Sequence, residues 1–159
     1  MHLRLMKKTQ YTLLIALSAF FYILTGCKKP EPAVPVADRI KNSYVAASVM
    51  EGTTTVYTSG GASNSKPGYS QFRLNLSNPP AVTYTAVDGT VFTGTYALTN
   101  NDTQIVLSGL TSTGGAPTGT NGTITFAISE LGDGTVTLTR TTADQKTGNT
   151  TNVYKLRKG

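Results

Sequence analysis

Tryptophan is absent from this chain, and cysteine and histidine occur once each, as Cys27 and His2. A single cysteine excludes any intramolecular disulfide, and with it a small disulfide-stapled scaffold. Helical apolar spacing is hard to find after residue 40. Only one long apolar run is present, from about Tyr11 to Leu24. The length implies one domain.

That run shapes the first reading. It follows Arg4, Lys7 and Lys8, and it falls short of the roughly 20 apolar residues that span a bilayer comfortably. A positive segment followed by a short apolar one is the layout of a secretory signal. The run ends in Leu24-Thr25-Gly26-Cys27. This resembles the lipobox of bacterial lipoproteins, in which small residues precede an invariant cysteine. The resemblance implies that residues 1–26 are a removable signal peptide and that Cys27 is lipidated on sulfur and acylated on its new amine. Several acyl chains anchor a protein lastingly where one does not. Residues 27–39 carry Pro30, Pro32 and Pro35, which favour an extended tether. Lys28 stands where an aspartate retains lipoproteins in the inner membrane of some bacteria, so the expected location is the cell envelope, the outer membrane ahead of the inner. Lys28-Lys29-Pro30-Glu31 holds a single acid, which leaves the exposed leaflet open.

Loss of the signal also changes the charge and the chemistry. The precursor carries +6, from 14 basic and 8 acidic residues. Arg4, Lys7 and Lys8 leave with the signal, so 11 basic side chains face 8 acidic ones, a balance of +3. Lys28 and Lys29 sit at one terminus and Lys155, Arg157 and Lys158 at the other. Nucleic-acid binding needs a basic patch on the fold itself, and none is expected. His2 goes with the signal and Cys27 is acylated, so Ser–His catalysis, Cys–His catalysis and histidine-based metal sites are excluded. Asp88, Asp102 and Asp133 are turn residues, and Glu31 and Asp38 belong to the tether. Glu130 with Asp133 reads as a solvated strand end rather than a catalytic pair, and no run supplies calcium ligands at the required spacing. We therefore expect no enzyme, no metal and no cofactor.

Residues 40–159 show period-2 alternation throughout, the signal of strands with one buried face. Eight strands are predicted, near 43–51, 69–77, 80–87, 90–99, 103–109, 122–130, 134–142 and 150–157. Asp88-Gly89 predicts a two-residue type I′ turn. Asn100-Asn101-Asp102 and Gly132-Asp133-Gly134 have related turn chemistry. Two long connections, 52–68 and 110–121, are predicted to be irregular. Successive hairpins make a meander, and eight strands can close into an up-and-down antiparallel barrel. The rival is a structural or adhesive β-sandwich that aids glycan or partner capture at the cell surface. The sequons at Asn75, Asn101, Asn121 and Asn149 read as turn and strand-end residues, with no glycan.

Several segments carry a further resemblance. Phe72, Leu74 and Leu76 alternate in the second strand. Phe92-Thr93-Gly94-Thr95-Tyr96 leads into an aromatic strand. Ile128 to Leu131 precedes a turn and Val136, and Tyr154 and Leu156 close the chain. This pattern is similar to the lipocalin-like domains of bacterial lipoproteins, of the type common in Bacteroidota. The family's opening tryptophan is here Tyr44. The resemblance implies a small barrel that binds a partly apolar ligand or serves an envelope complex. Tyr44, Phe72, Tyr84, Phe92, Tyr96, Phe126 and Tyr154 are the candidate lining residues, or else simply fill the core. Tyr57 and Tyr69 flank the first long loop, as a lid or a partner contact. Arg140 shares the parity of Val136 and Leu138, which points it inward near a barrel mouth. There it either orients a carboxylate-bearing ligand or pairs with Glu51 or Asp144.

Overall fold

The computed structural model describes residues 32–159. The segments read above as a signal peptide and a lipobox, with Cys27, lie outside the described residues.

A single helical turn, α1 (Val36–Arg39), opens the described chain. It occupies the last residues of the segment read as an extended tether. Pro35 sits just ahead of it with extended backbone and accepts hydrogen bonds from the backbone N–H groups of Asp38 and Arg39. No proline follows, so nothing interrupts the turn. Ile40 then drops into the core, fully buried.

Nine strands follow: β1 (Ser43–Glu51), β2 (Thr54–Thr58), β3 (Arg73–Asn75), β4 (Ala81–Thr85), β5 (Val91–Thr99), β6 (Gln104–Thr111), β7 (Ile124–Leu131), β8 (Thr135–Arg140) and β9 (Asn152–Lys158). From β3 to β9 each strand pairs antiparallel with the next. β9 then pairs with β1, from Tyr44 opposite Lys158 to Glu51 opposite Asn152. The sheet is thus a closed eight-stranded antiparallel barrel with one extra strand, and the sandwich is excluded. Closure leaves no open edge between its first and last strands.

The extra strand is β2, which lies inside the stretch predicted to be an irregular loop. Gly52, at positive φ, turns the chain back on itself. Thr54–Thr58 then pair with Ser48–Glu51. The other half of the same β1 edge, Ser43–Val45, pairs with β3. β1 therefore has three partners. The strand predicted over 69–77 is also shorter, because Pro67–Gln71 form a 3-10 turn and pairing starts at Arg73. Phe72, Leu74 and Leu76 are buried as their alternation implies.

Four bulges adjust which side chains face inward, one of them in β2 at Val56, opposite Val49 and Met50. In β1, Tyr44 and Ala46 point to the core, and after the irregularity at Ala46–Ser48 the inward residue is Val49. One extra residue in a strand switches its inward parity. Similar shifts occur in β5 at Thr93–Thr95 and in β7 at Ile128–Glu130. The turn at Asp88-Gly89 differs from the two-residue form. Ala86 N–H bonds to Thr90 O, Gly89 N–H bonds to Ala86 O, and only Gly89 is left-handed. This is a three-residue connection closed by a glycine bulge.

The up-and-down path sorts the connections onto two ends. Around the start of β1 lie α1 and the connections 76–80, 100–103 and 132–134. Around its other end lie the long segments 59–72, 112–123 and 141–151, with the turn 86–90. We call this second end the loop-bearing end.

Candidate functional site

The interior is filled mainly by rings. Phe72 stacks on Tyr154, with centroids 4.9 Å apart, and meets Tyr84 edge-on at 5.8 Å. Tyr84 stacks on Phe92 at 6.1 Å, and Phe126 meets Tyr154 edge-on at 5.8 Å. Tyr69 joins this cluster through Tyr154 and carries Tyr57 behind it. Five of the candidate lining aromatics, Phe72, Tyr84, Phe92, Phe126 and Tyr154, thus form one cluster toward the loop-bearing end. The other two, Tyr44 and Tyr96, lie toward the opposite end. There Tyr96 OH donates to Leu76 O at 2.9 Å. Tyr57 and Tyr69 are buried members of the core rather than an exposed lid.

Arg140 ends β8 and points inward, 3% exposed. Its guanidinium NH1 forms an ion pair with Asp144 Oδ2, inside the barrel mouth. Of the two partners considered from sequence, Asp144 is the one found. Glu51 is engaged elsewhere: it accepts from Tyr69 OH at 2.9 Å and pairs with Lys66 at 3.3 Å. The pairing at Arg140 is incomplete. Its Nε is buried and has no hydrogen-bond partner. An unsatisfied buried donor costs about 1–3 kcal/mol.

Asp144 is held from its own loop. Its Oδ1 accepts from Lys146 N at 3.0 Å and caps the short turn Gln145–Thr147. Gly148 and Asn149 are left-handed and return the chain to β9. Behind the turn, Asn152 is fully buried. Its Nδ2 donates to Thr147 Oγ1 at 3.0 Å and to Tyr154 OH at 3.3 Å. The Lys146 ammonium reaches across the mouth to Asp88 Oδ2 and lies 5.7 Å from the Phe92 ring centre. That contact holds the Asp88 carboxyl down to about 2, against an ordinary 3.8. Loop 112–123 folds over from the other side and buries Pro117.

These parts enclose a cavity of about 10 Å³ lined by Tyr69, Tyr84, Phe92, Pro117, Arg140 and Lys146, among others. That is room for one water. Tyr154 also lines it, whereas Tyr44, Phe72, Tyr96 and Phe126 do not. Burial pushes the Tyr154 hydroxyl up to about 12 and raises those of Tyr69 and Tyr84 as well, so all three remain neutral at ordinary pH. A shallower groove of about 220 Å³ lies at the opposite end, between α1, Pro79, Pro80 and Leu98. Among the described residues, no three His, Cys, Asp or Glu side chains converge on a point that a metal ion would fill.

Sequence reasoning placed Arg140 and the aromatic cluster but missed Lys146, Asp88 as its partner, and Pro117. Fifty-eight residues separate Asp88 from Lys146, and no periodicity relates them. Comparison with known proteins found no matching family model, no similar curated protein and no similar solved structure.

Proposed function

We propose that this protein is a lipid-anchored, non-enzymatic binding protein of the cell envelope. Cys27 holds it to the membrane, outer rather than inner, and the barrel takes up a small, partly apolar molecule at its loop-bearing end. One observation carries this reading. Three long loops and an incompletely paired buried cation gather at one end of the barrel, and α1, through which the chain enters β1, lies at the other. Binding is favoured over catalysis because the processed chain carries neither histidine nor a free thiol.

Two measurements test it. A Cys27→Ser variant is expected to remain uncleaved and to take up no fatty-acid label; wild-type processing and labelling of that variant would refute the anchor. Native mass spectrometry of the protein from its own host membrane is expected to show a small co-purifying mass. Only the unliganded mass, across preparations, would refute the binding role.

A further inference from the structure

The cavity at the loop-bearing end has a chemical character of its own. Arg140 offers five N–H donors in a fixed plane. Asp144 meets NH1 through one oxygen, and Nε is left without a partner. A carboxylate placed side-on to a guanidinium satisfies two donors at once, which this aspartate, tied to its turn through Oδ1, does not do. The lining combines apolar Ala86, Val87, Phe92 and Pro117 with the cations Arg140 and Lys146 and the acid Asp144.

We propose that Asp144 is a resident substitute for the ligand, and that a small carboxylate with an aromatic or short apolar body displaces it from Arg140. This rests on the binding role proposed above and names its ligand class. The cavity is partly open to solvent but has room for only one water, so uptake requires segment 141–151 to move outward with Asp144. The segment is held from behind by the bond from Asn152 Nδ2 to Thr147 Oγ1, which outward movement gives up. Across the mouth its tie is the Lys146–Asp88 pair, whose side chains are 27% and 45% exposed. Exposed pairs of this kind contribute little against solvent. Gly148 and Asn149, both left-handed, provide a place for the segment to pivot. One buried guanidinium balanced by one carboxylate also fixes the ligand charge. A monoanion replaces Asp144 without leaving a net buried charge, whereas a neutral molecule leaves the cation unpaired.

The test uses benzoate as probe, with benzyl alcohol as the uncharged control, on the processed full-length protein in detergent. Binding is read by calorimetry and by the NMR signal of the Arg140 Nε–H. In Asp144→Asn the asparagine oxygen still caps the turn but no longer competes for the cation. Benzoate is expected to bind this variant about tenfold or more tightly than wild type, and to shift the Nε–H signal in both. The double variant Arg140→Met with Asp144→Asn keeps the site neutral and is expected to lose benzoate binding while remaining folded by circular dichroism. Should Asp144→Asn fail to fold, Asp88→Asn removes the tie across the mouth while keeping the Lys146 cation, and is expected to tighten benzoate binding several-fold. Equal binding of benzyl alcohol, retained benzoate binding in the double variant, or no benzoate binding to any form would overturn the carboxylate assignment. A co-purifying molecule without a carboxylate would overturn it too, yet leave the binding role standing.

Discussion

Arg140 shows how far one residue can be read. Its parity with Val136 and Leu138 predicts that it points inward, and it does. Glu51 and Asp144 are the two acids that the sequence offers it as partners, and Asp144 is the one found. The choice between them depends on a turn capped by Asp144 itself, which no alternation pattern encodes. The pair also behaves as a unit. Arg140→Met alone leaves Asp144 buried without a counter-charge, and we expect a loss of about 3–5 kcal/mol in denaturant unfolding. The double variant with Asp144→Asn is expected to recover most of that loss. The exposed pair at the mouth behaves differently. Lys146 lowers the Asp88 carboxyl from 3.8 to about 2. A lowered folded value stabilises above the unfolded one, and that support fades as pH falls from about 4 through about 2. After solvent screening it is worth roughly 0.5 kcal/mol or less. Asp88→Asn is expected to flatten the acid limb of the stability profile by that small amount.

At the scale of the element, the eight strands of the barrel were legible, the second of them predicted too long, and the extra strand β2 was not. β2 consists of Thr54, Thr55, Val56, Tyr57 and Thr58, with the buried Val56 and Tyr57 adjacent rather than alternating. Its pattern therefore lacks the period that marks a strand. Residues 69–71 of the 3-10 turn Pro67–Gln71 fell inside a predicted strand, although the buried Tyr69 is out of phase with Phe72, Leu74 and Leu76. Bulges were equally hidden, since each is a property of two strands in register. The one in β5 predicts a local sensitivity. A methyl group on Gly94 would meet Ser108 O at 2.5 Å and Leu110 N at 3.1 Å, so β6 backbone occupies the space. Gly94→Ala is expected to cost about 1–3 kcal/mol. Amide exchange should accelerate first at Thr95, Ser108 and Leu110.

Across the whole molecule, the all-β class and the closed meander followed from alternation and hairpin chemistry, and closure itself is what brings the buried tyrosines together. Tyr44, Tyr69, Tyr84, Tyr96 and Tyr154 all have hydroxyls raised by burial. The unfolded chain ionises them near 10, so a raised folded value leaves stability intact below that pH and removes it above. We expect an alkaline unfolding transition that begins above about pH 10, in which ionised-tyrosine absorbance rises together with loss of the β-sheet circular dichroism signal. Gradual titration of these five residues in a protein that stays folded would contradict the packing. The site was less legible than the fold because it is made by loops. Asp88, Pro117, Asp144 and Lys146 come from three connections that the barrel, not the local sequence, brings to one mouth.

The triple pairing of β1 has a mechanical consequence. Under the anchoring proposed above, a pull between the N-terminus and the far end would run along β1. Hydrogen bonds to β2, β3 and β9 run across that direction. They would share the pull in shear, rather than opening one by one as in a peeled hairpin, so the first strand is the one best braced against being drawn out.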